Sequence, residues 1–113
     1  MIALRLAILA AAFGTAAAVL AADGTAIYAE RCATCHGDGG AGDGPASAAL
    51  EPRPRNFRDA GFWQGRTTEQ LTQVVKAGKP GTMMPPFAGT LSDADVDAVV
   101  RHVESFRPAA RAH

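Results

Sequence analysis

Two cysteines three positions apart, followed at once by a histidine, stand in the segment Cys32-Ala33-Thr34-Cys35-His36. Two thiols at that spacing can reach two vinyl groups on one porphyrin edge and form thioethers. The next residue then projects its imidazole at the iron, and neutral imidazole is a good iron ligand. C-x-x-C-H is accordingly the attachment sequence of c-type haem. Other readings compete. A zinc site needs two further Cys or His at suitable spacing, and outside the motif only His102 and His113 remain. A thioredoxin-like redox pair needs a βαβ context that this glycine-rich chain lacks. The pattern also arises by chance. The haem reading is preferred because an export-type leader and a second candidate ligand accompany the motif.

That second ligand lies in Gly81-Thr82-Met83-Met84-Pro85-Pro86-Phe87. A thioether sulfur is a soft ligand that favours ferrous iron and raises the reduction potential when paired with histidine. A core methionine more often fills a gap on a helix face. Here Pro85 and Pro86 hold an extended, stiff loop, which can present one side chain at a fixed distance. Met83 and Met84 compete for the role, one ligating while the other packs on the ring.

With these residues, the chain resembles a class I, single-haem cytochrome c of the small bacterial periplasmic kind, over roughly residues 23–106. In that family the ligating methionine directly precedes proline, which selects Met84 and leaves Met83 as the fallback. The family's Gly-Pro after the haem motif is matched by Gly44-Pro45, whose proline carbonyl is expected to accept a hydrogen bond from the second nitrogen of His36. Such a bond orients the ring and strengthens it as a ligand. The resemblance implies an all-α cytochrome c fold, three to five short helices wrapped around one covalently attached haem c with its iron. It also implies that the first and last helices cross. Gly24 and Tyr28 fit the first helix, but the aromatic position of the last falls on His102, a departure read as a polar-aromatic substitute at the crossing rather than a third ligand.

The function so implied is one-electron transfer through His/Met-ligated iron, with no catalytic residue and no enzymatic activity. The expected partners are a dehydrogenase or quinol-oxidising complex as donor and a terminal oxidase or reductase as acceptor. Two alternatives stay open: a fixed cytochrome subunit of an oxidoreductase complex, or a gas-binding or peroxidatic haem protein with a labile methionine.

Composition bounds these readings. The chain has 113 residues, with Lys+Arg and Asp+Glu equal at 11 each, which argues against nucleic acid as a partner. Residues 1–22 (MIALRLAILAAAFGTAAAVLAA) follow the grammar of a secretory signal: one early positive charge, a Leu/Ala run and small residues at the junction. The alternative is an uncleaved membrane anchor, but the apolar run from Leu6 is short against the ~20 residues that span a bilayer. Cleavage would leave residues 23–113 as one cytochrome domain, a monomer in the periplasm. A domain so small needs a staple, and a Cys32–Cys35 disulfide closing a tiny loop would constrain little.

The elements that must position these residues read as helices joined by Gly/Pro loops. Asp23 or Thr25 caps a first helix through Tyr28 to Cys32. Gly37 to Gly44 forms a loop, and a short helical turn follows Pro45. Glu51 to Arg66 is irregular, basic and aromatic, and Phe57, Phe62 and Trp63 are expected to pack near the porphyrin. Trp63, Arg53, Arg55 and Asn56 are donors suited to haem propionates, or else surface and core residues. Thr67 with Gln70, and Ser92 with Asp95, read as capping boxes opening helices that run to Gly78 and towards Pro108. Val96, Val99, Val100, Val103 and Phe106 mark one face of the last helix. Arg53, Arg55, Arg58, Arg66, Lys76 and Lys79 could form a docking face for an acidic partner.

Overall fold

A computed structural model of the chain describes residues 22–109. The leader expected over residues 1–22 lies outside the described residues, Ala22 excepted. Among the described residues, five α-helices and one 3-10 turn are formed: α1 (Gly24–Arg31), α2 (Ala33–His36), the 3-10 turn Ser47–Ala49, α3 (Ala60–Trp63), α4 (Thr68–Ala77) and α5 (Asp93–Glu104). Among the described residues there is no strand, and no helix is long and apolar enough to cross a membrane.

Caps set the longer helices. The Asp23 carboxylate accepts from the backbone N–H of Thr25 and Ala26. Thr67 and Gln70 close a reciprocal capping box on α4, and Ser92 and Asp95 close another on α5. Each satisfies N–H groups that the helix leaves orphaned, and losing such a cap side chain costs about 1 kcal/mol. The last helix stops at Glu104, before Pro108, because Ser105 to Arg107 turn back on the carbonyls of residues 101–104. The single turn α3, capped by Asp59 onto Gly61 N–H, interrupts the stretch expected to be irregular.

Helices α1 and α5 cross where α1 carries glycine. A Cβ on Gly24 would stand 2.1 Å from the Ala98 carbonyl oxygen, so only glycine allows this approach. One turn on, the buried Tyr28 ring lies 4.9 Å from His102 and 5.3 Å from Phe106, centroid to centroid. The aromatic position of the last helix is therefore shared between His102 and Phe106, and Thr25 Oγ1 sits 3.4 Å from His102 Nδ1. Val96, Val99, Val100 and Val103 are buried along one face of α5, as their spacing predicts, and α4 packs against the same helix.

Candidate functional site

The motif residues fall on the joint between α1 and α2. The N–H groups of Cys35 and His36 both bond back to the Cys32 carbonyl, at 3.2 and 2.9 Å, so residues 32, 35 and 36 share one face of a single helical turn. That face opens on a cavity of about 550 Å³. Leu71, Val74 and Val75 of α4 and Val99, Val100 and Val103 of α5 supply its apolar wall. Met83 and Met84 line it too.

Burial shapes the chemistry of this face. The Cys32 thiol is pushed up to about 11, first by burial and then by Cys35, which suits a neutral sulfur such as a thioether. Burial pulls the His36 imidazole below its ordinary value, against the opposing effect of a backbone hydrogen bond, and so favours the neutral ring that ligates metals. The ring stacks on Phe57 at 4.4 Å. Its Nδ1 lies 3.2 Å from the Arg55 carbonyl, which can only accept; Nδ1 is the donor and Nε2 keeps its lone pair for a ligand.

The expectation for Pro45 is corrected by this bond. Gly44 N–H bonds to the Cys35 carbonyl and Ala46 N–H to the Thr34 carbonyl, which ties the Gly-Pro step to the back of the motif turn. Pro45 lines a separate shallow cleft with Ala33 and Thr34. The chain from Pro54 to Phe57 passes over His36 instead, held there by Phe57 N–H on the Gly40 carbonyl at 2.7 Å.

The methionine loop hangs from the end of α4. The terminal carbonyls of Val75 and Lys76 accept from Phe87 and Ala88 N–H, and Lys79 N–H donates to the Met84 carbonyl at 3.2 Å. Thr82 Oγ1 accepts from Met84 N–H at 3.2 Å. Met84, clamped on both sides, is half-buried, whereas Met83 is 72% exposed.

Of the four donors expected to face propionates, the structure brings two to the cavity, Arg53 and Arg55. Trp63 does not reach it: its indole N–H is spent on the Phe57 carbonyl at 2.7 Å, and the ring is buried in the aromatic core. Nor does Asn56, whose side-chain oxygen caps Arg58 N–H in a local turn. Of the six cations read as one face, Lys76 pairs with Asp93 at 2.9 Å and Arg58 lies over Phe106. Arg66, by contrast, lines the cavity beside Arg53, Arg55, Lys79 and Arg31, and among the described residues no carboxylate lines it with them. The sequence signal for Arg66 is faint: an arginine four residues after an aromatic in a helix too short to foresee.

An apolar cavity bearing two thiols, an imidazole, two thioethers and a rim of cations fits a flat apolar macrocycle with a central metal and two carboxylate arms. A helical fold built around such a site defines a c-type cytochrome. Residues 19–103 match the family model described as "Cytochrome C oxidase, cbb3-type, subunit III", and the chain belongs to that family of cytochrome domains. It is 33% identical to the cbb3-type cytochrome c oxidase subunit CcoP of Cereibacter sphaeroides, over 76% of this chain and 27% of that protein. It is 31% identical to cytochrome c6 of Picosynechococcus sp., over 91% of this chain and 90% of that one. Among solved structures it resembles the KustC0563 c-type cytochrome, with a TM-score of 0.65, 30% identity, and coverage of 76% of this chain and 99% of that chain. It thus spans about a quarter of the length of CcoP and nearly all of the cytochrome c6. As a c-type cytochrome domain it carries covalently bound haem c with iron.

Proposed function

We propose that this chain is an exported one-electron carrier, in which Cys32 and Cys35 would hold the haem through thioethers while His36 and Met84 would hold its iron. The observation that supports the reading is the convergence of the motif turn and the clamped Met84 loop on one apolar cavity. The haem supplies the redox couple. The protein's part is to keep its ligands still: His36 is held by Phe57 and the Arg55 carbonyl, Met84 by Lys79 and Thr82. Ligands that barely move on oxidation keep reorganisation small, and the apolar walls exclude water from the metal. The chain itself catalyses no bond change. Residues 1–22 direct export and are cleaved, leaving a monomer in the periplasm. Its donors are dehydrogenase or quinol-oxidising complexes and its acceptors terminal oxidases or reductases.

A second reading, as a fixed subunit of an oxidoreductase complex, is favoured by CcoP, in which the matched region is a part of a named oxidase subunit. Stable co-purification with a catalytic partner would select it. The covalent attachment is tested by haem staining of a denaturing gel after expression in a host that exports and matures c-type haem. Stain should stay with the wild-type chain and disappear from a Cys32→Ser, Cys35→Ser double variant. Stain that persists in the double variant, or never appears on the wild type, would contradict the assignment.

A further inference from the structure

Tyr28 does more than fill the crossing of α1 and α5. It is 2% exposed, and its hydroxyl donates to the carbonyl of Gly37, the residue after the motif histidine, at 2.7 Å. Burial, the larger cause, and the neighbouring Cys32, Asp38 and Asp43 raise the phenol above its ordinary pKa, so the hydroxyl stays a donor. His102 and Phe106 lie against the ring at 4.9 and 5.3 Å and hold that donor in one place.

From Gly37 a run of hydrogen bonds leads to the imidazole. The Gly37 carbonyl also takes Gly40 N–H at 3.0 Å, and the Gly40 carbonyl in turn takes Phe57 N–H at 2.7 Å. Phe57 stacks on His36 at 4.4 Å, and two residues earlier the Arg55 carbonyl meets His36 Nδ1 at 3.2 Å. Gly40 itself has little room to drift, since a Cβ on it would stand 2.6 Å from the Phe106 ring. Both groups that hold His36 thus belong to one segment, residues 55–57, which hangs on the glycine loop, and the loop is pinned to α1 by the phenol.

We propose that Tyr28 is a positioning residue for the iron ligand: its hydroxyl fixes the glycine loop through which the Arg55 carbonyl and the Phe57 ring set the orientation and basicity of His36. The inference rests on the haem-binding reading above, and it deepens that reading by giving a redox task to a hydroxyl outside the ligand set. An imidazole whose Nδ1–H is firmly bonded is the more basic ligand and favours ferric iron. Loosening that bond favours ferrous iron.

The test compares Tyr28→Phe with Val96→Ala in the haem-loaded protein. Tyr28 also lines the cavity, so phenylalanine removes the hydroxyl and keeps the ring. Val96 is fully buried on α5 and does not line the cavity, so its truncation loosens packing without touching the hydrogen bonds. In ferrous Tyr28→Phe the His36 Nδ1 proton, followed by NMR, should exchange with solvent about tenfold faster. At a fixed ambient potential its ferrous-to-ferric ratio should rise about twofold to fivefold, tenfold being about 59 mV for one electron. Val96→Ala should move neither, although it lowers stability in denaturant titration by as much or more. Phe57→Leu removes the stack and keeps the backbone bond, and it should also raise the ratio. Combined with Tyr28→Phe it should give less than the product of the separate effects, as changes on one path do.

An exchange rate or a potential left unchanged in Tyr28→Phe would overturn the proposal and leave the phenol as packing alone. Equal shifts in Val96→Ala would overturn it too, by tracing them to general loosening, as would effects of Tyr28→Phe and Phe57→Leu that simply multiply. The axial ligands are judged separately, from the low-spin spectrum of the wild type. Its absence would sink the His36/Met84 assignment, while exchange of the His36 Nδ1 proton would still decide the role of Tyr28.

Discussion

At the scale of single residues, Met83 and Met84 are chemically identical and differ in what holds them. The backbone of Met84 is pinned at both its N–H and its carbonyl and its side chain is half-buried at the cavity. Met83 is largely in solvent. A ligand must return to the iron after every fluctuation, which a clamped residue does and a solvated one does not. Met84→Ala should therefore convert the ferric spectrum to high spin and abolish the methionine–iron charge-transfer band, whereas Met83→Ala should leave both unchanged. The opposite pattern would transfer the ligand role to Met83. The motif cysteines, His36 and the methionine pair are legible in the sequence because covalent and metal chemistry demands fixed residue types at fixed spacing. Pro45 and Trp63 depart from their expected roles because their partners depend on where a distant segment passes. The Arg55 carbonyl reaches His36, and the Phe57 carbonyl takes the indole N–H, only once residues 54–57 are laid across the motif turn.

At the scale of elements, α1, α4 and α5 are readable from their caps and from the valine spacing of α5, since these are local signals. The single turn α3 is not, because four residues between a proline-rich segment and Gly65 carry no period of their own. The element that matters most for the iron is the junction of α4 with the methionine loop. Gly78 closes α4 with φ 70° and ψ −177°, a conformation open essentially to glycine alone. A Cβ there would stand 2.8 Å from Pro86 N and 2.9 Å from the Met84 carbonyl oxygen. Gly78→Ala should then displace the loop, destabilise the fold by on the order of 1–3 kcal/mol in denaturant titration, and weaken the charge-transfer band. A stable Gly78→Ala protein with an unaltered band would show that the loop is not set by this contact.

At the scale of the whole molecule, the cavity takes the place of an ordinary core. A haem filling this cavity is the staple that so small a chain, without a stabilising disulfide, needs. On the proposed reading the same cavity sets the function, because iron held by both His36 and Met84 would have no open position for a substrate or a gas. The optical spectrum of the exported protein, oxidised, reduced, and reduced under carbon monoxide, tests this most directly. The expected result is a low-spin c-type spectrum with the ferric methionine charge-transfer band and no response to carbon monoxide. A high-spin spectrum, or rapid carbon monoxide binding by the ferrous form, would contradict a closed electron carrier and make ligand binding or peroxide chemistry the leading description.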